Sequence, residues 1–234
     1  MHKLIIANWK TYLNSSDSVN LATDIRALDN VVIAPAIPHL AIIREHAPNL
    51  NLASQDVSAI SDNYGAYTGE IPSVMLADMG VRYAIIGHSE RRSSGLDNVH
   101  SIAAKVRNVL AAKVIPIICV GETKEERDGG KYLDIIATQL CHLNLATAPE
   151  VIIAYEPTWS VGTGVLPSSG EIREVIGFIR ATLNIAGKLK LVYGGSVTAK
   201  NANEIVNISG VDGVLIGKAS TDVRQFKEIM RQIC

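Results

Sequence analysis

VIIAYEPTWSVGTG, residues 151–164, joins a five-residue apolar run to a carboxylate, Glu156, and then to a glycine-bearing loop. The run Val151–Tyr155 does not alternate apolar and polar side chains. A strand with one face in water alternates. An unbroken, β-branched run is buried on both faces, as in a parallel sheet covered by helices. Seven further stretches share this character: Leu4–Ala7, Val31–Ala34, Asn51–Ser54 (the weakest), Tyr83–Ile86, Val114–Val120, Leu191–Tyr193 and Val211–Ile216. Pro116 falls near the start of its run, where a missing N–H is best tolerated.

Between the runs lie apolar stripes at helical spacing. Val99, Ile102, Ala103, Val106 and Leu110 share one face, as do Ile172, Val175, Ile176, Ile179 and Leu183. Val223, Phe226, Ile229, Met230 and Ile233 form a third. Such stripes are core contacts. Thr123 with Glu126, and Ser168 with Glu171, match the capping box that opens a helix. Eight strands alternating with helices predict a (β/α)8 barrel or a doubly wound open sheet. No G-x-G-x-x-G follows the first strand, and no Pro/Gly/Ser-rich linker divides the chain, so the reading is one α/β domain over 1–234, a (β/α)8 barrel with an outer ring of helices.

The balance of 22 basic and 23 acidic residues, net charge -1, argues against a nucleic-acid footprint or a membrane-surface patch. Cys119, Cys141 and Cys234 form no C-x-x-C and fit no zinc spacing, which reads as a reducing, cytoplasmic setting. No apolar run approaches membrane-spanning length, and the start, MHKLIIANWK, has too short an apolar stretch for a signal peptide.

In such barrels chemistry sits where the strands end. The polar residues there are Asn8 and Lys10 after strand 1, Gln55 and Asp56 after strand 3, and His88 and Glu90 after strand 4. Glu122, Glu156 and Ser196 follow strands 5, 6 and 7, and Gly217 and Lys218 follow strand 8. Singly, each has a structural explanation: a capped loop histidine, a solvated lysine, an ion-paired glutamate. Together they converge on one rim, with Gly162–Gly164 and Gly194–Gly195. Clustered backbone N–H groups suit a dianion. An acid, a lysine and an imidazole beside that nest suit a phosphorylated substrate that loses a proton next to a carbonyl.

These stretches resemble the triosephosphate isomerase family over essentially the whole chain: ANWK (7–10), GAYTGEI (65–71), GHSERR (87–92), CVGET (119–123), AYEPTWSVGTG (154–164), YGGSV (193–197) and DGVLIGKAS (212–220). The resemblance implies that Glu156 is the general base, His88 the electrophile, and Lys10 and Asn8 the stabilisers of the enediolate oxygen. It implies that Glu90 is an auxiliary acid partnered with Lys10. Backbone N–H groups of Gly162, Ser196, Gly217 and Lys218 would hold the phosphate of a small triose, under a lid at 157–167. His88 precedes the helical stretch SERR, whose positive end disfavours an imidazolium. The rim residues include no His/Cys ligand cluster, so no metal and no organic cofactor are expected. The family also implies a homodimer in which loop 56–71 enters the partner subunit, with Thr68 near the partner's site.

The chain departs from the family pattern at Thr11-Tyr12-Leu13, at Asp56, at Thr158 and Val165-Leu166-Pro167 in the lid hinges, and at Lys218. Two alternatives stay open on sequence: another phosphosugar-isomerase barrel, and a catalytically inactive barrel scaffold. The first would not need GHSERR or a strand-6 glutamate beside a Pro-Trp lid. The second is opposed by Asn8, Lys10, His88 and Glu156, all present.

Overall fold

Eight parallel strands close on themselves in the computed structural model, which describes residues 2–25, 27–61 and 63–234. The strands are β1 (Leu4–Asn8), β2 (Val31–Ala34), β3 (Asn51–Ser54), β4 (Tyr83–Ile86), β5 (Ile115–Val120), β6 (Glu150–Tyr155), β7 (Lys188–Tyr193) and β8 (Gly213–Ile216). Each pairs with the next, and β1 closes the ring on β8 with Leu4 opposite Gly213. The helices are α1 (Ser15–Asp24), α2 (Leu40–His46), α3 (Ser73–Asp78), α4 (Ser89–Ser93), α5 (Val99–Ala111), α6 (Lys124–Asp128), α7 (Tyr132–Cys141), α8 (Ser169–Thr182), α9 (Ala202–Val206) and α10 (Val223–Ile233). Both expected capping boxes are formed, at Thr123 and Ser168.

Successive strand side chains point to opposite faces, and here that splits the core in two. Leu4, Ile6, Ile117, Cys119, Ile152, Ala154, Val192 and Leu215 pack inside the barrel. Ile5, Ala7, Ile118, Val151, Ile153 and Tyr155 pack outward against the helices. Counting on by two along β6 from Ile152 and Ala154 reaches Glu156. Counting on along β1 from Leu4 and Ile6 reaches Asn8. Strand register therefore delivers both polar groups to the barrel mouth.

Five strand boundaries differ from the apolar runs, those of β1, β5 and β6 by one residue and those of β7 and β8 by more. β7 starts at Lys188, because Lys188 and Lys190 pair in register with Glu150 and Ile152 and reach the Glu150 carboxylate at 3.8 and 3.4 Å. Its charged first half concealed it. β8 starts at Gly213 rather than Val211, since the Val211 N–H closes a turn on the Ile208 carbonyl. The buried face of α5 runs through Ile102, Lys105, Val106 and Val109, with Ala103 and Leu110 at its edge.

Candidate active site

A cavity of about 630 Å³ opens at the strand ends. Lys10, His88, Gly162, Ser196, Gly217 and Lys218 line it. Asn8, Glu90 and Glu156 are not part of its wall. They touch the residues that are.

Lys10 has a left-handed backbone, φ 48°, unusual for a residue with a side chain. Its environment supplies the constraint. The Asn8 Oδ1 accepts the Lys10 N–H at 3.1 Å, and Gln55 Nε2 donates to the Lys10 carbonyl at 2.9 Å and the Ala34 carbonyl at 3.0 Å. Three strands thereby set one lysine. Its ammonium is paired with the Glu90 carboxylate.

Gly87, at φ 70°, breaks the strand alternation after β4 and re-aims His88. His88 then caps α4: its Nδ1 accepts the Glu90 N–H at 3.2 Å. A nitrogen that accepts carries no proton, so the ring is neutral with its hydrogen on Nε2. That Nε2 lies 3.5 Å from Glu156 Oε1. The Glu90 carboxylate is 3.7 Å from Nδ1, beyond hydrogen-bond reach, and is engaged by Lys10.

Glu156 is 1 % exposed. Its Oε2 accepts the Ser89 N–H at 3.3 Å, a long bond, and its Oε1 has no hydrogen-bond partner among the described residues. A buried carboxylate oxygen without a donor is costly to keep. Gly194 explains how it fits: a Cβ there would stand 2.7 Å from Glu156 Cγ. The glycine pair at 194–195, read from sequence as part of a phosphate nest, also makes room for the acid.

The lid leaves β6 at Pro157. Glu122, a strand-end acid on the sequence reading, is fully buried beneath it. Its carboxylate accepts from the Tyr155 hydroxyl at 3.0 Å, the Trp159 Nε1 at 3.2 Å and Arg127 at 3.2 Å. Its backbone carbonyl accepts both the N–H and the hydroxyl of Thr158, at 2.9 and 3.0 Å. Glu122 is thus a hinge anchor. At the far side the Gly164 N–H donates to Ser196 Oγ at 3.0 Å, and Ser196 Oγ donates to the Ser160 carbonyl at 2.6 Å. Val165 and Leu166 of the far hinge are exposed.

Asp56 turns away from the cavity. It meets Lys105 at 2.7 Å and Arg91 at 2.8 Å, and both cations also meet the buried Asp97. Burial nonetheless outweighs these partners and holds the Asp56 carboxyl above its usual value. Lys218 is exposed and forms no ion pair among the described residues. Among those residues there is no group of three or more His, Cys, Asp and Glu side chains placed to hold a metal ion. The sequence reading missed Ser160 and the clamping role of Gln55. Ser160 carried no signal because a lone serine in a polar loop is ordinary.

The chain matches the family model described as triosephosphate isomerase over residues 3–233. It is 39% identical over 246 residues to the triosephosphate isomerase of Orientia tsutsugamushi (strain Boryong), covering 100% of this chain and 98% of that protein. It is 38% identical over 248 residues to that of Francisella tularensis subsp. mediasiatica (strain FSC147), covering 99% and 97%. The crystal structure of triosephosphate isomerase from Bartonella henselae superposes with a TM-score of 0.88 at 33% identity, covering 99% of each chain.

Proposed function

Since this chain belongs to the triosephosphate isomerase family, and so interconverts dihydroxyacetone phosphate and glyceraldehyde 3-phosphate in glycolysis, we propose how its own residues do so. Glu156 takes a proton from the carbon next to the ketone. The electron pair left behind moves into the carbonyl, giving an enediolate. His88 donates from Nε2 to the carbonyl oxygen, and the Lys10 ammonium and Asn8 amide stabilise the developing charge, with Glu90 holding Lys10. His88, having given its Nε2 proton to the former carbonyl oxygen, takes the hydroxyl hydrogen of the first carbon in its place, and Glu156 returns its proton to the neighbouring carbon, leaving an aldehyde. Fixed donors in a water-excluded site are what such a charge requires. Backbone N–H groups of Gly162, Ser196, Gly217 and Lys218 hold the phosphate, and the lid 157–167 keeps water out.

One observation carries the reading: a buried carboxylate oxygen, without a hydrogen-bond donor among the described residues, lies 3.5 Å from the proton-bearing nitrogen of a neutral imidazole. Base and electrophile are adjacent and neither is neutralised by the other. The reaction runs on these side chains, without metal or organic cofactor. The chain acts as one domain, in the cytoplasm. Two copies associate through loop 56–71, Thr68 of each reaching toward the other's site. Support for that comes from Tyr12, Tyr64, Tyr67 and Leu96, large apolar side chains left exposed. Asp62 of the loop lies outside the described residues. No helix among the described residues is long and apolar enough to cross a membrane.

Isomerisation in deuterated water, with a chelator present, tests the mechanism. Product should carry deuterium at the carbon beside the carbonyl. Turnover with no deuterium uptake would refute an enediolate, and loss of turnover with the chelator would refute the cofactor-free reading. No turnover at all would leave an inactive scaffold.

A further inference from the structure

The lid contains a polar side chain that the mechanism does not use. Ser160 is fully buried. Its Oγ lies 2.6 Å from the Val165 carbonyl, across the base of the lid, and 3.0 Å from the Tyr193 hydroxyl at the end of β7. A serine hydroxyl has one proton. The carbonyl can only accept, so that proton goes to Val165, and Tyr193 donates into Ser160. Burial pushes the Tyr193 phenol up to about 12, so it keeps its proton at neutral pH. The relay runs Tyr193 O–H to Ser160 Oγ, then Ser160 O–H to the Val165 carbonyl. It joins both legs of the lid to the barrel.

Gly195 gives independent support. A Cβ at that position would stand 2.1 Å from the Tyr193 hydroxyl and 2.6 Å from Ser160 Oγ. The backbone after β7 is side-chain-free where the two hydroxyls meet.

We propose that Ser160 is a positioning residue for the isomerase reaction: its hydroxyl latches the lid in the docked position over the cavity. The inference rests on the isomerase reading above. A single net hydrogen bond shifts an equilibrium by roughly three- to tenfold, and that is the scale expected here. An enediolate exposed to water by an undocked lid can expel its phosphate instead of being reprotonated. The carbon–oxygen bond breaks, the electron pair leaves with phosphate, and no oxidant or reductant is needed.

The test is Ser160→Ala, which keeps the backbone and adds no atoms. Inorganic phosphate released per isomerisation should rise roughly three- to tenfold, and kcat/KM should fall. Adding Tyr193→Phe should deepen neither effect more than about twofold, because one relay is already broken. If Ser160→Ala does not fold, Tyr193→Phe alone should show the same direction. A folded variant with wild-type phosphate partition would overturn the latch, whether or not its melting temperature falls. Failure of the isomerase reading looks different: the wild-type chain itself would not isomerise.

Discussion

At the scale of single residues, the site separates groups that touch the cavity from groups that hold them. Lys10 lines the cavity in a left-handed backbone because Asn8 and Gln55 hold it there. The placement of Asn8, Lys10, His88 and Glu156 at the rim could be read from sequence because strand ends recur at fixed places, while the role proposed for each comes from the resemblance to the family. Asn8's clamp on the Lys10 backbone could not, since it depends on a turn no local pattern marks. Lys218 illustrates a weaker signal. It lines the cavity, is exposed and has no ionic partner among the described residues. An extended side chain fixed on a ligand loses up to about 2 kcal/mol of rotamer entropy, while on the proposed reading backbone N–H groups serve the anion. Lys218→Ala should therefore raise KM by less than roughly tenfold. A direct ammonium–phosphate bond, worth roughly 1.5–3 kcal/mol, would give a larger rise that shrinks at high salt. Measuring KM at low and high ionic strength checks this.

At the scale of elements, the barrel was legible wherever a strand was buried on both faces. It was least legible at β7, whose first three residues carry two lysines paired to Glu150. The stretch after β3 shows a similar limit. Asp56 sits at the end of the barrel where chemistry is expected, yet it belongs to a charge network with Arg91, Lys105 and Asp97 at the root of loop 56–71. Desolvation raises its carboxyl above the ordinary 3.8 despite the hydrogen bond and charge of Lys105. The sign follows. A raised folded-state value means the charged form is disfavoured in the fold relative to the unfolded chain. Asp56→Asn should then raise the unfolding midpoint at neutral pH. The gain should shrink as pH falls through the raised folded value, and vanish below 3.8, where Asp56 is protonated in both states. Thermal melts across that range decide it. A destabilised variant at neutral pH would show that the ion pairs with Lys105 and Arg91 outweigh burial.

At the scale of the whole molecule, a closed barrel fixes eight strand ends on one rim, and the proposed dimer adds loop 56–71 from a second copy. Exposed Tyr12 and Tyr64, at 53% and 70%, are large aromatic surfaces for a lone chain. Sedimentation should find a dimer, and shortening loop 56–71 should give monomers of low activity; a fully active monomer would contradict the arrangement. The fold and the set of rim residues were open to sequence because both follow from register and periodicity. The lid's bonds to Glu122, Ser196 and Tyr193 were not, because they join segments tens of residues apart without a shared period. The proposed chemistry depends on one buried carboxylate, Glu156. Replacing it by its amide, Glu156→Gln, keeps the shape and removes the base. The turnover number of the purified, folded variant is the most direct measurement: a loss of about 10²–10⁴-fold is predicted, and turnover near that of the unaltered chain would contradict Glu156 as the proton acceptor.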